Sequence, residues 1–266
     1  MSEACPSCVL IISGNDPSGG AGMAADLQAV SALGAHPAPV ITSLTVQDTR
    51  NAYRVFVAEP ELVAQQAETV LEDMDIRAVK IGLLADAAVG NAVAEVLEKR
   101  PRIPVVLDPV LVAAGGAALA EKSLESVLLD RLLPLTTVLT PNALELRRLG
   151  GGGDDRAEMA RRLLEGGARW VLAKGADEDT SGVENVLYGA DGFEEISRWR
   201  RLPGHYHGSG CTLASAIAAL LARGMAVPMA VAEAQRFTFE ALRHAFRPGQ
   251  GQFIPRRLPP PGAGDP

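Results

Sequence analysis

The sequence predicts an α/β fold, a single domain with a mostly parallel central sheet flanked by helices on both faces. Short apolar runs alternate with helical patterns along most of the chain, as parallel strands joined by crossover helices require. The predicted strands are continuous apolar runs, which is typical of a sheet covered on both faces. At 266 residues, 47% of them hydrophobic, the chain is long enough to bury one full core.

The elements follow in order from these patterns. Six apolar runs are predicted strands: 9–13, 38–46, 78–83, 105–109, 137–140 and 170–174. Six segments between them are predicted helices: 22–33, 60–74, 87–99, 122–132, 142–149 and 156–165. Segments 183–189 and 194–200, separated by Ala-Asp-Gly, predict a hairpin at the sheet edge, and helices 209–223 and 228–246 close the domain. We expect residues 1–8 to be a flexible N-terminus, 9–254 to be the domain, and the Pro- and Gly-rich residues 255–266 to be a disordered tail.

Composition narrows the function classes. The formal charge of −7 and pI near 5.2 argue against nucleic acid as a partner. The sequence has no apolar stretch of membrane-spanning length, and its first residues lack the basic start of a secretory signal. Three cysteines, an odd number, indicate a reducing, cytoplasmic location. We therefore expect a soluble protein whose partners are small molecules.

The most informative segment is His207-Gly208-Ser209-Gly210-Cys211, which opens the apolar helix predicted from residue 209. The first turn of a helix leaves backbone N–H groups unpaired at the positive end of the helix dipole. Glycines let an anion approach that backbone, so this turn is suited to a phosphate or a developing oxyanion. We expect the same dipole to lower the pKa of the Cys211 thiol.

A second glycine-rich segment, 14–22, follows the first predicted strand. Its Gly20-x-Gly22-x-x-Ala25 spacing satisfies a relaxed dinucleotide fingerprint, although a further loop intervenes after the strand. Gly14 and Gly19 have P-loop spacing, but the Lys and Ser/Thr of that motif are missing. Two interpretations of segment 14–22 remain: it is an ordinary strand-to-helix loop, or it lines a small-molecule pocket.

Polar residues mark the ends of the other predicted strands. Gln47 carries a donor and an acceptor side by side, matching an aminopyrimidine edge, but Gln can also simply cap a sheet. Lys80 and Lys174 lie in or at the end of apolar strands and require an anionic partner unless they extend to solvent. Asp108 and Glu145 either hold Mg²⁺ or, for Glu145 with Asn142, form a helix capping pair.

Taken in order, these motifs resemble the hydroxymethylpyrimidine/phosphomethylpyrimidine kinases of thiamine biosynthesis, in the ribokinase superfamily. The resemblance spans roughly residues 9–246. It implies a ribokinase-like α/β fold, a homodimer, and use of ATP and Mg²⁺ to phosphorylate 4-amino-5-hydroxymethyl-2-methylpyrimidine and then its monophosphate. The alternatives are a pyridoxal or pyridoxine kinase of the same superfamily, an NAD-binding oxidoreductase, and a pyrimidine-binding protein without catalysis.

The resemblance also implies roles for individual residues. The implied substrate-binding residues are Gln47, Gly14, Asp26, Leu83 and Val110. The implied catalytic residues are Cys211, Gly208, Ser209, Gly210 and Lys174; the last four, with His207, would also bind ATP. Asp108 and Glu145 would hold the metal, and Cys211 stands where other members of the superfamily carry a catalytic Asp. As a thiolate, Cys211 either takes the hydroxyl proton or only orients the substrate; we favour the base role.

This chain departs from the family pattern in several places. Ser209 and Leu83 replace the usual Thr and Met, which are mild changes. Residues 113–116 read Ala-Ala-Gly-Gly where the family often has a Lys-Ser-Gly loop, which removes a positive charge near the expected substrate phosphate. This departure bears on the second phosphorylation, whose substrate carries that phosphate. The segment 249–253 also differs from the usual ending.

Overall fold

The computed structural model describes residues 5–111, 122–178 and 180–258. In this part of the chain, nine strands form one sheet: β1 (Cys8–Asn15), β2 (His36–Gln47), β3 (Ala52–Val57), β4 (Ile76–Ile81), β5 (Val105–Leu107), β6 (Val138–Leu139), β7 (Trp170–Ala173), β8 (Gly182–Gly189) and β9 (Glu194–Arg200). The α-helices of the described residues are α1 (Gly22–Ala32), α2 (Pro60–Asp73), α3 (Ala87–Glu98), α4 (Lys122–Val127), α5 (Ala143–Leu149), α6 (Arg156–Glu165), α7 (Ser209–Ala222) and α8 (Val227–Arg243).

The sheet runs in the order β3-β2-β1-β4-β5-β6-β7-β8-β9. Strand β1 pairs in parallel with β2 on one side and β4 on the other, and β5, β6 and β7 continue the parallel run. The pairings β2–β3, β7–β8 and β8–β9 are antiparallel. The chain leaves β1 first toward one side and later toward the other, and ligands bind beyond the carboxyl ends of strands at such a switch point.

Apolar layers cover both faces of the sheet. On one face, buried side chains from α2, α3, α5 and α6 pack against strands β1, β4 and β5. On the other face, α1, α7 and α8 supply the layer. Helix α7 is buried over nearly its whole length because its residues from Leu213 to Ala222 are apolar or small. A helix that is apolar on all sides is typical of a protein core. The buried body of α7 therefore fixes the position of its first turn.

The structure agrees with the strand predictions to within two residues at each end, and the edge hairpin forms as expected. Strand β3 is missing from the predictions. It is a short exposed edge strand with Arg54 at its centre, so no buried apolar run marks it. The helix predicted over 122–132 is α-helical only to Val127 and continues as a π-helical turn over Leu128–Leu132.

Residues 255–258, expected to belong to a disordered tail, pack on the domain. Ile254 and Phe246 pair through their backbones, and the Arg256 N–H donates to the Ala241 carbonyl at 2.9 Å. Arg257 is only 3% exposed. Residues 255–258 are therefore part of the folded domain, because their polar groups find partners on it. Residues 259–266, and the altered loop at 113–116, lie outside the described residues.

Candidate active site

The predicted site residues converge at the carboxyl edge of the parallel strands. Most of them end or follow a strand or belong to the start of α7; Glu145 lies in the first turn of α5, and Asp26 lies within α1. The structure thus brings together Gly14, Gln47, Leu83, Asp108, Val110, Lys174 and the turn 208–211, as adjacency of parallel strand ends requires.

The two glycine-rich segments lie against each other. Gly208 adopts a left-handed conformation with φ +79°, and a Cβ there would lie 2.0 Å from the Gly20 carbonyl oxygen. A Cβ on Gly20 would lie 2.3 Å from His207 Cδ2, so neither position tolerates a side chain. The glycines therefore allow close backbone approach between the loop and the helix start. This close packing, and not a dinucleotide-binding fingerprint, explains why the 14–22 segment is rich in glycine.

The first turn of α7 opens toward charged groups from two strand ends. Its N-cap residue Gly208 has no side chain to cap the first N–H groups. A Cβ built on Gly210 would lie 3.1 Å from Lys174 Nζ and 3.6 Å from Asp108 Oδ2. Backbone donors, the helix dipole and a lysine ammonium thus face one small region. That combination suits an anion such as a transferring phosphoryl group.

Lys174 and Asp108 form a hydrogen-bonded ion pair at this point. Lys174 Nζ donates to Asp108 Oδ1 at 3.0 Å, and Thr140 Oγ1 donates to the same oxygen at 3.0 Å. Burial by itself raises the pKa of Asp108. The positive charges of Lys174 and Lys80 lower it by more, so the net shift of this pKa is downward. Burial lowers the pKa of Lys174, but Asp108 and Glu145 raise it overall. Both groups are charged at neutral pH.

Glu145 serves the structural role that its spacing allowed. Asn142 Oδ1 accepts from the Glu145 N–H at 2.9 Å, and Glu145 Oε2 accepts from the Asn142 N–H at 2.8 Å, which completes a capping box. Burial, followed by the nearby Asp108 charge, raises the pKa of Glu145 to about 7 although Lys174 opposes the shift.

These carboxylates also fit a magnesium ion. Asp108 Oδ2 points toward the helix start, and oxygen donors are what Mg²⁺ prefers. Burial is the main cause of the raised pKa of Glu145, and the nearby Asp108 charge, which a cation would offset, adds to it. Across the described residues, no group of three or more His, Cys, Asp or Glu side chains is arranged to hold a metal. Two carboxylates, with water and phosphate oxygens, would be the donor set.

Gln47 is connected to the helix start through His207. The Gln47 side-chain nitrogen lies 3.0 Å from His207 Nε2, which also lies 2.7 Å from Asp16 Oδ2. Asp16 further accepts from the Ser18 and Ala21 N–H groups and so organises the loop. The His207 imidazole therefore connects Gln47, which is expected to bind the substrate ring, with the 208–211 turn, which is expected to bind phosphate.

Asp26 and Lys80 lie behind the site surface. Lys80 Nζ donates to Asp26 Oδ2 at 2.7 Å, Ser215 Oγ donates to Asp26 Oδ1 at 2.7 Å, and both charged side chains are 0% exposed. Both oxygens of Asp26 are thus hydrogen-bonded within the core. Contact between Asp26 and a substrate would require movement of its surroundings. The anion that Lys80 requires is supplied by the protein itself.

The expected lowering of the Cys211 pKa is wrong. Burial raises it to about 11; Lys80 and the Gly22 N–H act in the opposite direction, and Asp26 and Asp108 add to the rise. Desolvation and the two nearby carboxylates raise the pKa by more than Lys80 and the Gly22 N–H lower it. Cys211 is therefore protonated at neutral pH, which removes the physical basis for a thiolate base.

The remaining implied substrate residues surround a narrow space. A Cβ on Gly14 would lie 2.6 Å from Ser43 Oγ and 3.0 Å from Leu83 Cδ2, so these three positions are in contact. Leu83 is buried and Val110 is half-buried. Their placement is consistent with apolar surfaces beside a ring, and their role remains a prediction.

Sequence reasoning missed Asp16 and Arg257. The Asp-Pro-Ser of the loop is a turn signal that could have indicated Asp16 as its organiser. Arg257 Nε donates to Thr212 Oγ1 at 2.8 Å, and its Nη2 donates to the Gly20 carbonyl, so this buried guanidinium ties the tail to both glycine-rich segments. No sequence signal marks it, because it lies in a Pro-rich stretch.

Comparison with known proteins identifies relatives along the whole domain. The family model described as phosphomethylpyrimidine kinase matches residues 16–256. The hydroxymethylpyrimidine/phosphomethylpyrimidine kinase of Streptomyces coelicolor is 40% identical over 255 residues, covering 92% of each chain. The thiamine biosynthesis bifunctional protein ThiED of Geobacter sulfurreducens is 40% identical over 247 residues, and the match covers 91% of this chain. It covers only 50% of the Geobacter protein, so this chain spans about half of that relative's length.

Solved structures show the same fold. An ADP complex of Bacillus subtilis pyridoxal kinase has a TM-score of 0.87 at 26% identity, covering 95% of this chain and 97% of the other. The phosphomethylpyrimidine kinase of Clostridium difficile has a TM-score of 0.77 at 32% identity, covering 88% and 99%. The predicted ribokinase-like fold is confirmed. A search of the described residues finds no helix long and apolar enough to cross a membrane.

Proposed function

The chain belongs to the phosphomethylpyrimidine kinase family, a family of phosphotransferases, and from this premise we propose its reaction. The protein transfers the γ-phosphoryl group of ATP to the hydroxymethyl oxygen of 4-amino-5-hydroxymethyl-2-methylpyrimidine. It then phosphorylates the monophosphate to the pyrophosphate. The observation that supports this best is the continuity of the site from Gln47 through His207 to the 208–211 turn.

Gln47 supports the pyrimidine as substrate. Its amide offers one acceptor and one donor on a single edge, the complement of the 4-amino group and ring N3. Gly14 and the buried Leu83 lie in contact and would form an apolar wall beside the ring. Thus Gln47 binds and orients the ring, while the apolar walls exclude water.

Charge stabilisation accounts for the transfer itself. Phosphoryl transfer needs little covalent chemistry from a protein, so positioning and electrostatics supply most of the rate. Lys174 and the N–H groups of Ser209 to Cys211 would hold the γ-phosphoryl oxygens while the substrate oxygen attacks in line. Asp108 keeps Lys174 oriented through the 3.0 Å hydrogen bond.

Magnesium and the thiol complete the arrangement. Asp108 and Glu145 would hold Mg²⁺, which when bound offsets charge on the ATP phosphates. In a loose transition state the hydroxyl proton leaves late, so a base at the oxygen contributes little. Cys211, protonated because its pKa is about 11, would orient the substrate oxygen instead of deprotonating it.

Phosphorus NMR of the products tests the reaction. The protein with Mg-ATP and the pyrimidine alcohol is expected to yield ADP, the monophosphate and then the pyrophosphate. Gln47→Glu, which keeps the side-chain length but removes the donor, should abolish most of the activity; Gln66→Glu on the exposed face of α2 is the matched control. Unchanged ATP in the presence of the alcohol would contradict the proposal.

Pyridoxal kinase is the second candidate, since the structural similarity to the Bacillus subtilis enzyme is high. Gln47 favours the pyrimidine because pyridoxal lacks a 4-amino group. Parallel assays with pyridoxal separate the two. A kcat/KM for pyridoxal above that for the pyrimidine alcohol would favour the second candidate.

Dimerisation is proposed from the exposed ribbon of β2 and β3. Leu44 and Val46 point to the same side as Phe56, and these three side chains are 47–53% exposed. Contiguous exposed apolar surface of this kind marks an interface. A second copy of this chain is the proposed occupant; light scattering of the protein and of Phe56→Ser measures the mass.

The free thiols of Cys5, Cys8 and Cys211 support the proposed cytoplasmic location.

A further inference from the structure

We propose that His207 is a specificity-determining residue: with Asp16 and Thr45 it fixes the orientation of the Gln47 amide, and thereby directs the hydroxymethyl group of the bound pyrimidine toward the 208–211 turn. This inference rests on the proposed function, because it concerns how the same substrate is placed. It assigns roles to Asp16 and Thr45, for which neither the motifs nor the family resemblance gave any.

The first step concerns the proton on His207 Nε2. Asp16 Oδ2 lies 2.7 Å from this nitrogen. Burial raises the pKa of Asp16, but hydrogen bonds from His207 and Ser18 lower it overall, so the carboxyl group is ionised at neutral pH. An ionised carboxylate can only accept hydrogen bonds. His207 Nε2 must therefore carry the proton and donate it to Asp16.

The second step concerns the amide of Gln47. With its nitrogen 3.0 Å from His207 Nε2, two donors face each other. The Gln47 oxygen lies 3.1 Å from Thr45 Oγ1, whose only proton is also needed by the Asn15 carbonyl at 3.0 Å. Rotating the amide by 180° removes the contact between two donors and frees the Thr45 proton for Asn15. The single His207 Nε2 proton is then shared between Asp16 Oδ2 and the Gln47 oxygen. The oxygen then faces the His207 donor, and the nitrogen donates to Thr45 Oγ1, which donates to Asn15.

The third step concerns the ligand. His207 and Thr45 each engage one atom of the amide, which leaves the second lone pair of its oxygen and the second N–H of its nitrogen for a ligand. A 4-aminopyrimidine must then place its amino group at the oxygen, on the His207 side, and ring N3 at the nitrogen, on the Thr45 side. The carbon that carries the hydroxymethyl group neighbours C4 and therefore lies on the His207 side. The attacking oxygen is thus directed toward Gly208 and the turn that follows.

Kinetics with paired substrates test the role of Thr45. The 4-oxo analogue presents an acceptor at C4 and a donor at N3, the inverse of the 4-amino pattern. Thr45→Val removes the hydroxyl that holds the amide nitrogen, and we expect the 4-amino over 4-oxo ratio of kcat/KM to fall about tenfold, mainly through kcat. Thr45→Ser should restore the ratio. Thr238→Val, which removes a buried hydroxyl that donates, within the described part of the chain, to the Ala234 carbonyl, is the matched control.

A ratio that stays unchanged in Thr45→Val would overturn the proposal, as would equal changes in the control. If the unaltered protein phosphorylates neither pyrimidine, the proposed function fails, and the orientation of the amide is decided separately by nitrogen-15 NMR. That experiment is expected to show a proton on His207 Nε2 and none on Nδ1, which is buried without a hydrogen-bond partner among the described residues. A proton on Nδ1 alone would refute the proposed orientation, whatever the kinetics.

Discussion

Two lysine–aspartate pairs, built from the same residue types, lie at different depths in this protein. Lys80 lies inside β4 and pairs with Asp26 at 2.7 Å, with both side chains 0% exposed. Lys174 follows the last residue of β7 and pairs with Asp108 at 3.0 Å, with side-chain exposures of 12% and 3%. Position relative to the strand end separates a sealed pair from one that faces the site.

The difference in depth implies a difference in role. Both oxygens of Asp26 are hydrogen-bonded in the core and both side chains are sealed from solvent, so a ligand cannot reach the Lys80 pair without movement of its surroundings. Asp108 uses one oxygen for Lys174 and Thr140, while Oδ2 faces the first turn of α7. We expect removal of the sealed pair to affect folding, and removal of the open pair to affect chemistry.

Lys80→Met should produce the largest loss of stability. It leaves the Asp26 carboxylate buried without its cation, which costs about 3–5 kcal/mol of unfolding free energy. Urea unfolding measures the loss. The double variant Lys80→Met/Asp26→Leu should recover most of it, because an apolar pair replaces the ion pair. A loss below about 1 kcal/mol would show that Asp26 is not a buried unpaired charge in the variant.

Lys174→Ala should reduce kcat by about 10²–10³-fold, since it removes a charge aimed at the transferring phosphoryl group. Single-turnover assays with saturating Mg-ATP measure this effect. Lys99→Ala, which breaks an exposed pair with Glu68, is the control and should leave kcat unchanged. If Lys174→Ala and Lys80→Met lower kcat equally at a temperature where both are folded, the division of roles is wrong.

The pH dependence of stability gives a further test of the comparison, because the charges of Lys174 and Asp108 affect the pKa of Glu145. Its pKa is about 7 in the folded protein against 4.5 ordinarily, so folding favours the protonated form. The stability from this group is fully present below the ordinary pKa and is lost as pH rises through about 7, by about 3 kcal/mol. Glu145→Gln keeps the capping acceptor and should remove this dependence. Equal slopes of unfolding free energy against pH in both proteins would contradict it.

Cys211→Ala and Cys211→Ser should have the smallest effects, less than about tenfold on kcat. The thiol lies between the two pairs and is protonated at neutral pH, so it is not available as a base. Steady-state kinetics from pH 6 to 9 measure both variants. A loss of about 10²–10⁴-fold, typical of a missing general base, would restore the thiolate hypothesis.

Much of the site could be predicted from local patterns. Asp108, Lys174 and Gln47 each follow a recognisable strand, and parallel strand ends meet at one edge. The Asn142–Glu145 capping box could be read from its spacing of three residues, and the structure contains it. By contrast, the partner of Lys80 comes from a helix 54 residues away in sequence, and no local pattern indicates such a pairing.

By itself, the sequence determined the alternation of buried strands and helices, the glycine-rich helix start and the polar strand ends, because these depend on periodicity and backbone freedom. Only the tertiary structure decided the edge strand β3, the burial of Arg257 and the direction of the Cys211 pKa shift. These depend on which distant groups share a small volume. Desolvation and charge in that volume outweigh the local propensities that a sequence displays.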